Sequence, residues 1–175
     1  MRLWSSIILT VLALASVAAP ARADDPRADI ALGYSLIYDH DIKTTFPAGW
    51  FVSAAVNATR LFAVAGEVSG HYKSDVTSLR VHTFLAGPRL VGGAGAARFF
   101  AQLLAGAAVS SVGSTAISAS SSQTNFCYMP AVGLDIGFNP RTAMRLGAGE
   151  RFIRDNGGTS HQFQFVAGLV FRFES

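Results

Sequence analysis

The sequence predicts an all-β fold, eight antiparallel strands in up-and-down order closed into a barrel. Three observations lead there. Hydrophobicity is spread over eight segments of about ten residues each, and most of them alternate apolar and polar residues with period two. The links between segments alternate short and long. The final segment, His161 to Phe173, carries the strongest alternation, with Phe163, Phe165, Ala167, Leu169, Phe171 and Phe173 on one parity. Successive side chains of a strand point to opposite faces, so this strand has one apolar face and one mostly polar or small face.

The segments run 28–39, 49–59, 61–72, 79–90, 97–110, 125–138, 142–153 and 161–173. In the first, Ile30, Leu32, Tyr34, Leu36 and Tyr38 oppose Ala31, Gly33 and Ser35. The second sets Trp50, Val52, Ala54 and Val56 against Ser53, Ala55 and Asn57. In the third, Phe62, Val64, Val68 and Tyr72 oppose Glu67, Ser69 and His71. The sixth sets Phe126, Tyr128, Val132, Leu134, Ile136 and Phe138 against Gly133 and Asp135. Segments four and seven are less regular: Leu85 shares a parity with Arg89, and Leu146 with Glu150. Bulges near Gly87-Pro88 and Gly147–Gly149 are expected to reset their phase. The links after strands two, four and six are short (Arg60, 91–96 and 139–141). Those after strands one, three, five and seven are longer (40–48, 73–78, 111–124 and 154–160).

Alternation alone also fits a soluble sandwich. The aromatic residues argue for a membrane. Tyr38, Trp50, Tyr72, Phe126, Phe152 and Phe163 fall at one set of strand ends, and Phe62, Phe99, Phe138 and Phe173 at the other, all on the apolar parity. Two aromatic girdles around an apolar band mark a transmembrane barrel. The opposite parity is rich in Gly, Ala and Ser, which makes a poor solvent face.

Residues 1–23 read as a signal peptide, with Arg2, an apolar run from Ile7 to Val17 and the small-x-small site Ala21-Arg22-Ala23. Residues 24–175 are then the barrel domain. Removing Arg2 and Arg22 leaves 14 − 2 = 12 basic against 11 acidic residues. The basic pI therefore gives no support for nucleic-acid binding. A single cysteine, Cys127, allows no internal disulfide. The Gly92-Gly93-Ala94-Gly95 stretch reads as a turn, since no helix pattern and no Lys-Ser or Lys-Thr follows it. No cofactor or metal is expected.

Taken together, the girdles, the link pattern and the aromatic final strand resemble the small bacterial outer-membrane β-barrel family, the OmpA/OmpX-like eight-stranded barrels. The resemblance covers about 28–173. It implies an eight-stranded antiparallel up-and-down transmembrane β-barrel in the outer membrane, with both termini in the periplasm. It also implies partners: outer-membrane lipid, and the barrel-assembly machinery, which reads the aromatic C-terminal strand. Glu174 and Ser175 after Phe173 depart from the usual terminal aromatic.

Eight strands enclose an interior that side chains can fill, without a wide pore. Inward parity offers Glu67, Ser69, His71, Arg80, His82, Gln102, Asp135, Gln164 and Arg172, and the two bulges bring in Arg89, Arg145 and Arg151. An internal ion-pair network is the expected arrangement, because a buried unpaired charge costs several kcal/mol. Ser69 and His71 share a face with Glu67, but neighbours at i and i+2 lie about 6–7 Å apart, too far for a nucleophile–base bond. Catalysis is not expected, and the deacylase motif of lipid A-modifying barrels is not matched. The role expected is structural or surface interaction in the envelope. The alternatives are a soluble secreted barrel binding a small apolar ligand and, ranked after it, a lipid A-modifying barrel enzyme.

Overall fold

The computed structural model describes residues 27–41, 43–74, 77–114, 120–155 and 157–173. The signal-peptide reading and Glu174-Ser175 lie outside them. Among the described residues nine strands form: β1 (Ala28–Asp39), β2 (Thr44–Phe46), β3 (Ala48–Asn57), β4 (Phe62–Ser74), β5 (Thr77–Ala94), β6 (Ala97–Ser114), β7 (Ser120–Asn139), β8 (Thr142–Asp155) and β9 (Gly158–Phe173). β2 and β3 both pair with β1 and together make one stave, interrupted at Pro47, so the barrel has eight staves. Pro47 has no N–H for the ladder, and the parity changes across it: Phe46 and Phe51 are both buried. The sheet closes where β1 pairs antiparallel with β9, from Ala28 opposite Phe173 to Asp39 opposite Gln162. The chain's final strand thus removes both open edges, as a membrane-spanning sheet requires.

The strands are tilted. A row followed from Ile37 passes Gln164, Gly149, Ala131, Gln102, Arg89, Ala63 and Asn57. It returns to β1 where the Asn57 amide bonds the Arg27 carbonyl, a displacement of 37 − 27 = 10 residues. Tilt and stagger of this kind close an eight-stranded sheet around a packed interior.

The parity readings hold on most strands. Val64 is 63% exposed on the outer wall and Ala65 beside it 1%. The two anticipated bulges are absent. Along β5, Arg89 stays paired with Ala63 and Gln102 in unbroken register, and β8–β9 is regular from Thr142 to Asp155. Leu85 faces inward, packed with Ala55, Ala63, Ala65 and Leu104. Small neighbours leave room for a leucine inside the barrel, so no phase change is needed. Glu150 faces outward at the rim and bonds His161. The register shifts among the described residues lie elsewhere, across Pro47 and between Gly137 and Asn139.

Loop lengths also differ from expectation. At the end bearing the termini the link at Arg60 lengthens to 58–61, while the other two shrink to 95–96 and 140–141. At the far rim the links shrink to 40–43, 75–76, 115–119 and 156–157. The strands run on past the girdle, so residues read as loop in 111–124 are largely ladder. Local polar chemistry sets the turns. Asn139 Oδ1 accepts the amides of Arg141 and Thr142, Thr59 Oγ1 those of Leu61 and Phe62, and Asp155 Oδ1 that of Gly157. The β5–β6 hairpin uses Gly93 and Gly95 at positive φ, 116° and 65°, which side-chain-bearing residues rarely adopt.

Candidate functional site in the barrel lumen

The inner wall carries two polar clusters. The lower one, toward the termini, is built on Arg145. Its Nε and Nη2 donate to Asp135 at 2.8 Å each, Nη2 also reaches Asp29 at 3.0 Å, and Nη1 donates to Ser53 at 3.0 Å. Arg89 lies 3.5 Å from the same Asp29 oxygen and donates through Nε to Gln102 at 2.9 Å. Both guanidinium groups pack on Phe100, at 4.7 and 4.8 Å from the ring centroid. The ring quadrupole attracts each cation, while the two aspartates balance them. Phe100 fits because β7 carries Gly133 opposite it: a Cβ there would stand 2.3 Å from the ring.

The upper cluster is centred on Gln164. Its Oε1 accepts from Arg151 Nη2 at 2.8 Å, and its Nε2 donates to Glu67 at 3.1 Å and to Ser35 at 3.0 Å. Arg151 also donates to Ser69 at 3.1 Å, and Ser69 shares a 2.6 Å hydrogen bond with Thr83. His71 Nε2 meets Ser35 Oγ at 2.8 Å. Nearer the rim Gln162 donates to Asp39 at 2.9 Å. Arg145, Arg151, His71 and Gln164 are all at most 2% exposed. A cavity of about 20 Å³ between the clusters touches Glu67, Arg89, Phe100, Gln102, Arg145 and Gln164. That is room for about one water among polar partners.

Of the residues singled out from sequence, Glu67, Ser69, His71, Arg89, Gln102, Asp135, Arg145, Arg151 and Gln164 lie on the inner wall. Arg172 is half-buried at the terminal mouth. Arg80 and His82 do not join them. β5 keeps one phase, so Val81, Thr83 and Leu85 point inward, Arg80 is exposed, and His82 faces out to bond the Tyr72 hydroxyl at 3.1 Å. Ser69 and His71 do not bond each other: Arg151 and Thr83 take the serine, and Ser35 takes the histidine. Sequence reasoning passed over Asp29, Ser35, Ser53, Thr83 and Phe100. Asp29, Ser35, Ser53 and Phe100 sit on the parity read as inward for their strands, which was the available signal, whereas Thr83 sits on the parity that the β5 reading had placed outward.

A closed antiparallel barrel with an apolar outer wall, two aromatic girdles and a charged, filled lumen is an architecture for hydrocarbon surroundings. The family model described as outer membrane protein beta-barrel domain matches residues 7–173. The chain belongs to this family. It is an outer-membrane β-barrel, as the final strand had suggested. Solved structures show the same fold. Neisserial surface protein A (NspA) superposes with a TM-score of 0.67 at 12% identity, covering 83% of this chain and 96% of its own. Ail, the attachment invasion locus protein of Yersinia pestis, gives 0.57 at 16%, covering 84% and 99%. The outer membrane protein OprG from Pseudomonas aeruginosa gives 0.58 at 10%, covering 87% and 98%. Comparison with curated proteins finds no match.

Proposed function

We propose that this barrel serves surface interaction, with its far rim outside the cell and an extended segment of another protein as its partner. One observation carries the reading. On β7, Ser120–Asn125 pairs with β6 on one side, while pairing with β8 begins only at Phe126 opposite Arg154. Among the described residues this six-residue stretch therefore has an open backbone edge beyond the aromatic girdle. Open edges recruit strands, and proteins usually guard them with lysine, proline or bulges. Ser-Ser-Ser-Gln-Thr-Asn has none of these guards. The lumen network supports the wall that holds the edge up, which is a structural role within the same reading.

Cell fractionation and surface labelling test it. The chain is expected in the outer-membrane fraction after cleavage near Ala23. A tag after Gly157 should label intact cells, and one after Pro140 should not. Adhesion of these cells to protein-coated surfaces should fall when Ser122→Lys and Thr124→Lys guard the edge. Labelling at Pro140 inverts the topology, and unchanged adhesion removes the edge from the function.

A further inference from the structure

The outer wall carries a second feature that neither the lumen nor the β7 edge uses. Arg80 on β5 lies opposite Tyr72 on β4 and Ser111 on β6. Arg154 on β8 lies opposite Phe126 on β7 and Thr159 on β9. Both arginines are exposed and face outward, and so do all four neighbours. The same three-strand arrangement, aromatic–arginine–hydroxyl, thus occurs on two separate walls. Neither guanidinium has an ion-pair partner among the described residues.

The two sites also share a level. The row from Arg154 passes Phe126 and Ala107 to Phe84 on β5. A row sinks by ten residues over eight staves, hence by 10 × 3/8, about four residues, over these three. Arg80 stands four residues rimward of Phe84, so it lies at the height of Arg154. Directly beneath both are the outward aromatics and histidines of the far girdle. Trp50 bonds the Tyr72 hydroxyl, which also bonds His82, while Tyr128 stacks on Phe152 at 4.8 Å and His161 meets Phe152 edge-on at 4.9 Å. In a bilayer, aromatic residues of this kind mark the interface, and a cation just above them meets the lipid headgroups.

We infer that Arg80 and Arg154 form a pair of docking sites for phosphate groups on outer-leaflet lipid headgroups. The planar guanidinium can give a phosphate two parallel N–H bonds, and the flanking Ser111 or Thr159 hydroxyl is placed to donate a third. The aromatic on the other side, Tyr72 or Phe126, is the ladder partner of the arginine on the lipid-facing wall. The inference rests on the reading that the far rim meets the outer leaflet.

The test uses the full chain folded in detergent, with lipid A and chemically dephosphorylated lipid A as probes. Wild type should bind the phosphorylated form more tightly. Each arginine near an anionic headgroup contributes about fivefold, so Arg80→Gln with Arg154→Gln should weaken that binding by about 25-fold. Binding of the dephosphorylated form should barely change. Arg60→Gln, in the turn at the opposite end, should match wild type, and heat-modifiability on a gel should show every variant folded. Equal affinity of wild type for the two lipids, or a double variant that binds like wild type, overturns the sites. Orientation is read separately by the tags at Gly157 and Pro140. An inverted topology with phosphate discrimination intact would support the sites and overturn the assigned outside.

Discussion

Arg145 is the lumen's most connected side chain, and Arg145→Met measures what that connection is worth. The substitution keeps most of the stem and deletes both 2.8 Å bonds to Asp135, the 3.0 Å contacts with Asp29 and Ser53, and one of the two cations on Phe100. Two carboxylates then keep Arg89 as their buried cation, with Arg172 opposite Asp29 and Arg98 opposite Asp135 toward the terminal mouth. Removing one partner of a buried ion pair costs about 3–5 kcal/mol. Arg89 remains 3.5 Å from Asp29, so the lower figure applies. A loss of about 3 kcal/mol is roughly a 150-fold shift in the unfolding equilibrium. Equilibrium unfolding in lipid vesicles, followed by heat-modifiability, should show it. Adding Asp135→Leu removes the stranded carboxylate and leaves Asp29 with Arg89. Apolar replacement of a buried pair is often neutral or stabilising, so the double variant should return to within about 1 kcal/mol of wild type. A single variant that loses under about 1 kcal/mol, or a double variant no better than the single, would refute the account of a network held by charge balance.

Three further outcomes are expected. Leu134→Arg places a charge on the outward row with Phe99 and Leu146 and should cost about 2–4 kcal/mol in vesicle folding if that row meets the bilayer midplane. Gly133→Ala drives a methyl into the Phe100 ring and against the Leu146 carbonyl oxygen and should cost about 1–3 kcal/mol, with Phe100→Leu relieving only the ring's share in the same unfolding assay. Deleting Arg172 to Ser175 removes the Phe173–Ala28 end of the closing ladder and should sharply lower outer-membrane accumulation, whereas deleting only Glu174 and Ser175 should not, as fractionation would show.

Most of the barrel was legible because a strand's two faces are written alternately in its sequence. Strands with clean alternation, such as 28–39 and 125–138, were assigned to the right faces. β5 was misread for a physical reason: apolar residues were taken to face lipid, yet Leu85 fills the interior among Ala63, Ala65 and Leu104. Reading Leu85 outward forced Arg80 and His82 inward and then required a bulge to bring Arg89 back. Lumen membership is recoverable from sequence, but partners are not. Arg145 and Asp29 are 116 positions apart, and only the closed register brings them together. Loop lengths failed because polar residues such as Ser122, Gln123 and Thr124 look like loop while their backbone continues the ladder past the membrane.

The lumen charges also help to choose the register. Along β8 the inward set contains Arg145 and Arg151, and the outward set contains Leu146 and Phe152. A slip of one residue would exchange the sets across the whole strand. Two guanidinium groups would then enter lipid, at about 2–4 kcal/mol for one near the midplane, while Asp135, Glu67 and Gln164 would lose their partners inside. An apolar interior would penalise the same slip far less, since leucine is tolerated on either side of this wall, as Leu85 and Leu103 show. Buried arginines are a weak source of net stability, but in a sheet whose outer face is apolar between its two girdles they are a strong discriminator between registers. The same argument explains the irregularities at Pro47 and at Gly137/Asn139: both lie toward strand ends, where a change of phase moves few side chains between lumen and lipid.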